Sequence, residues 1–518
     1  MPESVVTIFK VAGQIPVTLS YAYAMARLRI FPPLTLGLAV LCGWPAFAKP
    51  AFTTSELEGQ GSELLWCDLD GDHLADAVLS DRTNLSIFFQ DAKAGFTRKP
   101  QQQFQLANRP VIVWPARLGR KAESLLLLTS DGVTELRFPN RTDPPVSEPI
   151  IQLPTIIPDK LDAEDETGVR FFPLSASTGT DWPLLLVPAA DGLQVWQHRG
   201  TWQPAQIIRL TGNASILPVM DNDNPGYVRS FGLSLSLDDV NGDGRDDLMV
   251  MREGANGRQI YSLYLQETNG LFNSEPALIY TNTADWRTTL AWMDLNRDGK
   301  LDLLESTISD EPSFVPGLQS GKVLVAAYLA DEHGRIPPKP QQVFRKQDWS
   351  PFLPMVDVDG DGFMDLVLGY IPIDSRDGVR NMITTGKITL NLKFHFCRPG
   401  VGFPDAPDYQ RHVPIYFDHD LVWTPDSRLY SEKFLSLNGD FNGDGKKDLL
   451  VRDQSDGISV YFFDSRATGF ASHADLKFHC PELMDWWQIK DLNGDGISDL
   501  VVKLRNENVF RVFLSQKE

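Results

Sequence analysis

The sequence predicts an all-β chain folded as an eight-bladed β-propeller, each blade a four-stranded antiparallel sheet with an acidic loop in its first hairpin. Three observations predict it: six copies of one nine-residue acidic motif, a strand-length apolar run after each copy, and a wide interval that leaves room for two copies without carboxylates.

The motif is clearest at Asp357-Val-Asp-Gly-Asp-Gly-Phe-Met-Asp365, which places carboxylates at positions 1, 3, 5 and 9. Calcium is a hard ion that takes six to eight oxygens at roughly 2.3–2.6 Å, and alternate side chains plus the position-7 carbonyl, here Phe363, can supply them. Gly360 and Gly362 permit the positive φ of a tight loop. The ligand positions here are Asp357, Asp359, Asp361 and Asp365. The other copies place Asp68, Asp70, Asp72 and Asp76; Asp239, Asn241, Asp243 and Asp247; Asp294, Asn296, Asp298 and Asp302; Asp440, Asn442, Asp444 and Asp448; and Asp491, Asn493, Asp495 and Asp499. Calcium is the expected cofactor. So many carboxylates on one face would repel one another without cations, which points to a stabilising rather than a catalytic role for the metal.

Each motif runs into an apolar stretch such as Leu248–Met251 or Leu449–Val451, then a turn and an alternating run such as Leu85–Phe89, Ile458–Phe463 or Val509–Leu514. A further segment, opening on a pair such as Gly95-Phe96 or Gly469-Phe470, is expected to form the fourth strand. The interval from Asp68 to Asp239 is about three times the usual one, so two eroded repeats are expected at about 108–210. Aligned on Trp66–Leu79, the stretch Trp114–Leu127 puts Ala116, Leu118, Arg120 and Ser124 where carboxylates stand elsewhere, yet it keeps the strand Gly132–Phe138. The second eroded copy runs from Phe171 through Leu184–Val187 to Gly192–Trp196. The last repeat lacks a fourth strand, and Phe52–Glu58 is similar to Phe470–Lys477, so the N-terminal strand is expected to close the ring. Seven blades with one irregular unit is the alternative.

These loops resemble the FG-GAP or VCBS repeats of integrin α-subunit propellers and of many secreted bacterial proteins, over essentially all of residues 50–518. The resemblance implies a propeller and bound calcium, not a reaction. The chain departs from the pattern at the two eroded repeats and at His73, which replaces the position-6 glycine. An EF-hand loop would instead close on a bidentate Glu at position 12 between helices. Here that position is Leu79, Val250, Leu368, Val451 or Val502, with Glu305 as the exception.

A net charge of −20 and a pI near 4.8 argue against a nucleic-acid binder, which would need a basic face for phosphates. Residues 1–48 read as an export segment: Arg27 and Arg29 precede an apolar run from Phe31 to Trp44, and Ala46-Phe47-Ala48 offers a cleavage site, with Met25 a better start than Met1. The run is broken by Pro32 and Pro33 and is too short for a span of about 20 residues. The expectation is an exported protein, periplasmic or extracellular and not integral to a membrane. After cleavage Cys67, Cys397 and Cys480 remain, enough for one disulfide at most.

No Gly-x-Ser-x-Gly, His-Glu-x-x-His or phosphate-cradling loop is present. The distinctive region is a long insertion at about 370–430, which gathers Arg398, Tyr409, Arg411, His412, Tyr416, His419 and Trp423; blade 5 adds a long connection, Ser306–Ser320. Both are expected on the face opposite the acidic loops. Arg398, Arg411, His412, Tyr416, His419 and Trp423 are the candidate ligand site, with packing of the insertion onto the ring as the competing role. Trp286, Trp349, Trp486 and Trp487 are expected to pack between blades. The function expected is a binding or adhesion module for a protein or glycan partner. The alternative is a carbohydrate-active enzyme such as a polysaccharide lyase.

Overall fold

The computed structural model describes most of residues 49–517; the longer stretches outside the described residues are 107–111, 156–174, 210–216, 282–287, 309–322, 347–354, 371–384 and 417–433. The export segment, His419, Trp423, Trp286, Trp349, Phe171 and most of the blade 5 connection lie outside the described residues.

Eight four-stranded antiparallel sheets follow one another along the chain. Seven are built from strands in chain order, opening with Glu63–Cys67, Ile112–Ala116, Ser175–Ala176, Leu233–Asp238, Thr288–Met293, Met355–Val356 and Leu435–Gly439; in the last of these a small two-stranded ribbon intervenes before the fourth strand. The eighth, Met484–Lys490, Asp499–Leu504 and Val509–Gln516, takes its fourth strand from the N-terminus: Ala51–Glu58 pairs antiparallel with Val509–Gln516, Ala51 opposite Gln516. This closure makes the ring eight-bladed.

The middle strands read as unbroken apolar runs because both faces of each sheet are covered by neighbouring blades. Ser124–Thr129, Leu184–Ala189 and Asp448–Arg452 are buried almost throughout. The core is therefore a set of inter-blade layers. Leu57, Trp66, Leu79, Phe88, Val501 and Phe510 join blades 8 and 1; Val367, Phe394, Leu449 and Phe463 join blades 6 and 7. Each fully buried side chain of this kind contributes about 1.5–3 kcal/mol. The fourth strands alternate and leave Ile207, Ile279 and Val343 exposed on the outer edge.

Three features differ from expectation. The Gly-Phe pairs do not open fourth strands: Gly95 bridges to Asp91 and Gly469-Phe470 forms a small ribbon with Phe463–Ser465, while the fourth strands start later, at Gln102 and Leu476. The glycines sit at φ 70° and 69°, which breaks the extended run and turns Phe96 and Phe470 inward onto Trp66 and Phe463, with ring centroids 5.7 and 5.1 Å apart. A two-stranded hairpin, Leu217–Asp221 with Asn224–Val228, sits between blades 3 and 4. Within 370–430, Lys387–His395 and Tyr409–Tyr416 are the ordinary third and fourth strands of blade 6. No helix among the described residues is long and apolar enough to cross a membrane.

Candidate functional site

The acidic loops share one hydrogen-bond plan. The position-1 carboxylate accepts the position-6 N–H in every copy: His73, Gly244, Gly299, Gly362, Gly445 and Gly496 donate to Asp68, Asp239, Asp294, Asp357, Asp440 and Asp491 at 2.7–3.1 Å. Positions 4 and 6 are left-handed wherever they are described. Two residues other than glycine adopt positive φ among the described residues, and both occupy these positions: His73 at 74° and Arg297 at 58°.

The position-9 aspartate has a role the motif alone does not reveal. Asp76, Asp247, Asp302, Asp365, Asp448 and Asp499 are all buried. Asp365 accepts the N–H groups of Val358, inside its own loop, and Cys397, at the end of the third strand, both at 2.9 Å. Asp76 does the same with Leu69 and Gln90, Asp302 with Leu295 and Ala330, Asp448 with Phe441 and Phe463, and Asp499 with Leu492 and Ser515. Each therefore staples the first hairpin to the third strand. Burial, reinforced by the other loop carboxylates and opposed by these N–H groups, raises the carboxyl pKa to about 8 at Asp365 and Asp448, about 7 at Asp76 and Asp499, and about 6 at Asp247 and Asp302.

One ligand atom from each of Asp68, Asp70 and Asp76 lies within 4.8 Å of the others, and the same holds for Asp357, Asp359 and Asp361. Oδ1 of Asp357 is buried and accepts no hydrogen bond. An all-oxygen, multiply charged donor set with an orphaned carboxylate oxygen fits a hard divalent cation. No helices flank the loops, and Glu305 is not a loop ligand. It lies in the second strand of blade 5, where Tyr328 and Thr307 donate to it at 3.1 and 3.3 Å.

Neighbouring loops are also bonded to one another. Ala75 N–H donates to Leu492 O across blades 1 and 8, Glu123 to Asp68 O across 2 and 1, Gly119 to Asp181 O across 2 and 3, Asp246 to Ser177 O across 4 and 3, Lys447 to Val358 O across 7 and 6, and Ser498 to Asp440 O across 8 and 7. The loop face is thus a chain of fasteners around the ring.

Blades 2 and 3 close the same hairpin without acidic ligands. In blade 2, Arg120 fills the loop and pairs with buried Glu135 on the third strand, which also accepts from Ser124 Oγ at 2.7 Å. Burial alone would raise the Glu135 pKa, but the Arg120 and Ser124 hydrogen bonds outweigh it and hold the carboxyl low. In blade 3, Trp182 stacks on His198 at 3.5 Å and meets Trp202 edge-on at 5.9 Å. Gly119 of blade 2 lies against the Trp182 ring, where a Cβ would come within 2.3 Å.

The four described candidate ligand residues, Arg398, Arg411, His412 and Tyr416, are not brought together. Arg398 lies in the hairpin between the third and fourth strands of blade 6, bridged to Gly402 and paired with Asp408 at 2.7 Å. It follows Cys397, whose N–H reaches Asp365, so it lies on the acidic-loop face rather than opposite it. Arg411 and His412 are successive residues of one strand and so point to opposite sides of the sheet. Arg411 lies over Tyr461 at 4.4 Å and donates to the carbonyls of Phe470 and Ala471 at 3.1 and 2.8 Å, which packs it against blade 7. His412 is bonded to Asn391, and Tyr416 lies beneath Lys387 at 5.7 Å. Trp487 packs between blades as expected, whereas Trp486 is 40% exposed. Cys67, Cys397 and Cys480 are free and buried.

Two stretches, 239–305 and 440–509, match the FG-GAP-like repeat family, and each spans two acidic loops. An alignment 163 positions long, covering 27% of this chain and 14% of the relative, is 32% identical to integrin alpha-IIb of Mus musculus. The chain is a propeller that carries FG-GAP-like repeats. The integrin match leaves most of that relative's length without a counterpart in this FG-GAP propeller. Among solved structures, a lectin of Agrocybe aegerita described as recognising non-reducing terminal N-acetylglucosamine overlays with a TM-score of 0.37, at 17% identity, over 62% of this chain and 78% of its own.

Proposed function

We propose that this FG-GAP propeller is an exported protein, periplasmic or extracellular, that holds calcium at its six acidic loops and serves as a binding or adhesion module for a protein or glycan partner. The observation that carries the reading is the shared plan of the loops. Their carboxylates are engaged in closing hairpins and stapling strands, and their backbones bond to neighbouring loops, which makes a bound ion a fastener. A ring fastened on one face leaves its other surfaces free to vary, and the similarity to an integrin α subunit favours recognition over turnover. The enzymatic alternative would draw on a cluster of Arg411, His412 and His419; the first two are on opposite sides of one strand and engaged in packing, and His419 lies outside the described residues.

Calcium-loaded protein applied to glycan and protein arrays tests this. The expected outcome is retained signal on a defined partner class, weakened in EDTA, with no turnover. Release of unsaturated sugar from a polysaccharide would overturn the reading.

A further inference from the structure

The six acidic loops fall into two electrostatic classes. Blades 1 and 6 carry an aspartate at position 3, Asp70 and Asp359; the other four carry Asn241, Asn296, Asn442 and Asn493. Three of those four supply a cation from their own position 7: Arg245 pairs with Asp243, Lys300 with Asp298 at 3.1 Å, and Lys446 with Asp444 at 3.3 Å. In blade 8, Ser515 Oγ donates to Asp495 at 3.0 Å and Lys517 reaches the Asp495 carbonyl at 3.0 Å. In blades 1 and 6 position 7 is apolar, Leu74 and Phe363.

In both of these blades the cation arrives from the next blade in the same way. Arg141, between the third and fourth strands of blade 2, donates to Asp70 and to Asp72, the latter at 2.8 Å, and to the Gln90 carbonyl at 3.0 Å. Arg466, at the tip of the small ribbon of blade 7, donates to Asp359 and Asp361. Each arginine stands three residues after a buried phenylalanine, Phe138 or Phe463. Each lies over a phenylalanine of the preceding blade, Phe89 at 5.6 Å and Phe396 at 5.2 Å. Phe89 and Phe396 are equivalent: each precedes the residue, Gln90 or Cys397, whose N–H meets the position-9 aspartate. The same four-part arrangement thus occurs at two junctions, five blades apart in chain order and three blades apart the other way round the ring.

We propose that Arg141 and Arg466 are inter-blade latches: each guanidinium is a built-in counter-cation for a four-aspartate loop and holds the junction between blades 1 and 2, or 6 and 7, with or without bound metal. A planar fork matches two carboxylates at once, and the ring beneath it fixes its plane. Four aspartates plus the arginine carry −3, against −2 for an asparagine loop with its own position-7 cation, so the latch offsets one of the four negative charges and still leaves a net negative site for an ion. The latch stands on pairs formed by the chain itself, so it goes beyond the calcium reading.

Hydrogen exchange read by mass spectrometry on the full chain, in EDTA and in calcium, tests it. Arg466→Gln in EDTA should speed exchange at least tenfold in Lys387–His395 and Gly457–Tyr461, leave blades 3 to 5 unchanged, and have a smaller effect in calcium. Arg141→Gln should act in the same way on Asn84–Phe88 and Gly132–Arg137. Asp359→Asn, which converts the loop to the type found in the other four blades, should reproduce the Arg466→Gln effect, and the double variant should be no worse than either single. Wild-type exchange in the variants, a uniform change across all blades, or additive single effects would each overturn the latch. Absence of a calcium effect in the wild type would instead sink the calcium reading, because the latch is read in EDTA.

Discussion

Blades 2 and 3 and the six acidic blades solve one problem in different ways. Every first hairpin must fill the space beneath its loop and tie it to the third strand. The acidic blades do so with clustered carboxylates, whose mutual repulsion calls for a cation. Blade 2 uses an internal cation, Arg120 on Glu135, and blade 3 uses Trp182, His198 and Trp202. The hairpin thus requires closure rather than calcium itself. The largest effect expected follows directly. Chelation should lower the melting temperature by roughly 10 °C, since each ion at saturating concentration contributes about 2–3 kcal/mol. Exchange protection should fall in blades 4, 5 and 8 while Ser124–Thr129 and Leu184–Ala189 change least. An unchanged melt in EDTA would remove the stabilising role, and uniform loss across all blades would break the comparison.

The same contrast has a pH signature. Without metal, the buried position-9 carboxyls hold their protons up to about pH 6 to 8, whereas an unfolded aspartate releases its proton near pH 4. Between those limits the native state binds more protons, so stability is fullest at low pH and is lost as pH rises through the folded values. In EDTA the melting temperature should therefore be several degrees higher near pH 5 than near pH 8.5. Calcium should reverse the trend, because ligation requires the deprotonated form. A melt in EDTA that rises with pH would contradict the burial of these groups.

Blade 2 offers the reciprocal test. Glu135→Ala leaves the Arg120 guanidinium without its partner and should cost roughly 2 kcal/mol, below the 3–5 kcal/mol typical of fully buried pairs because the Arg120 side chain is 39% exposed. The loss should be the same in calcium and in EDTA, measured by urea denaturation. A loss that shrinks in calcium would mean that this loop, too, draws on the metal.

Most of the architecture was legible because the repeat is local. A nine-residue motif, its strands and its interval are all read along the chain, and the two eroded blades were found through strands that outlasted their carboxylates. What escaped was what comes together across blades. Nothing in the order of residues shows that Asp365 meets the N–H of Cys397, or that Arg466 reaches back to Asp359. The Gly-Phe pairs misled because an apolar residue after glycine suits the start of a strand, whereas the positive φ of Gly95 and Gly469 turns the phenylalanine into the core instead. The described members of the candidate ligand site stand apart for a related reason. Arg411 and His412 are adjacent in sequence, which in a strand sends them apart.

The finest test of the comparison lies in two residues that bear the same backbone strain. His73 and Arg297 are both left-handed where other acidic loops place glycine, a conformation that costs an L-residue roughly 1–2 kcal/mol. The His73 side chain is largely exposed and lies 3.9 Å from Asp68, so little holds it in place. His73→Gly should relieve the strain and raise stability by about 0.5–1 kcal/mol after the added chain entropy of glycine is subtracted. Arg297 bridges to the next loop, over the Phe363 ring at 5.3 Å and towards the Asp361 carbonyl at 3.4 Å. Arg297→Gly should therefore gain nothing or lose a few tenths of a kcal/mol, because the lost cation–π contact offsets the relief. Opposite or unequal signs in thermal melts would place the value of Arg297 in its junction, and equal gains at both positions would reduce that contact to a surface pairing without weight.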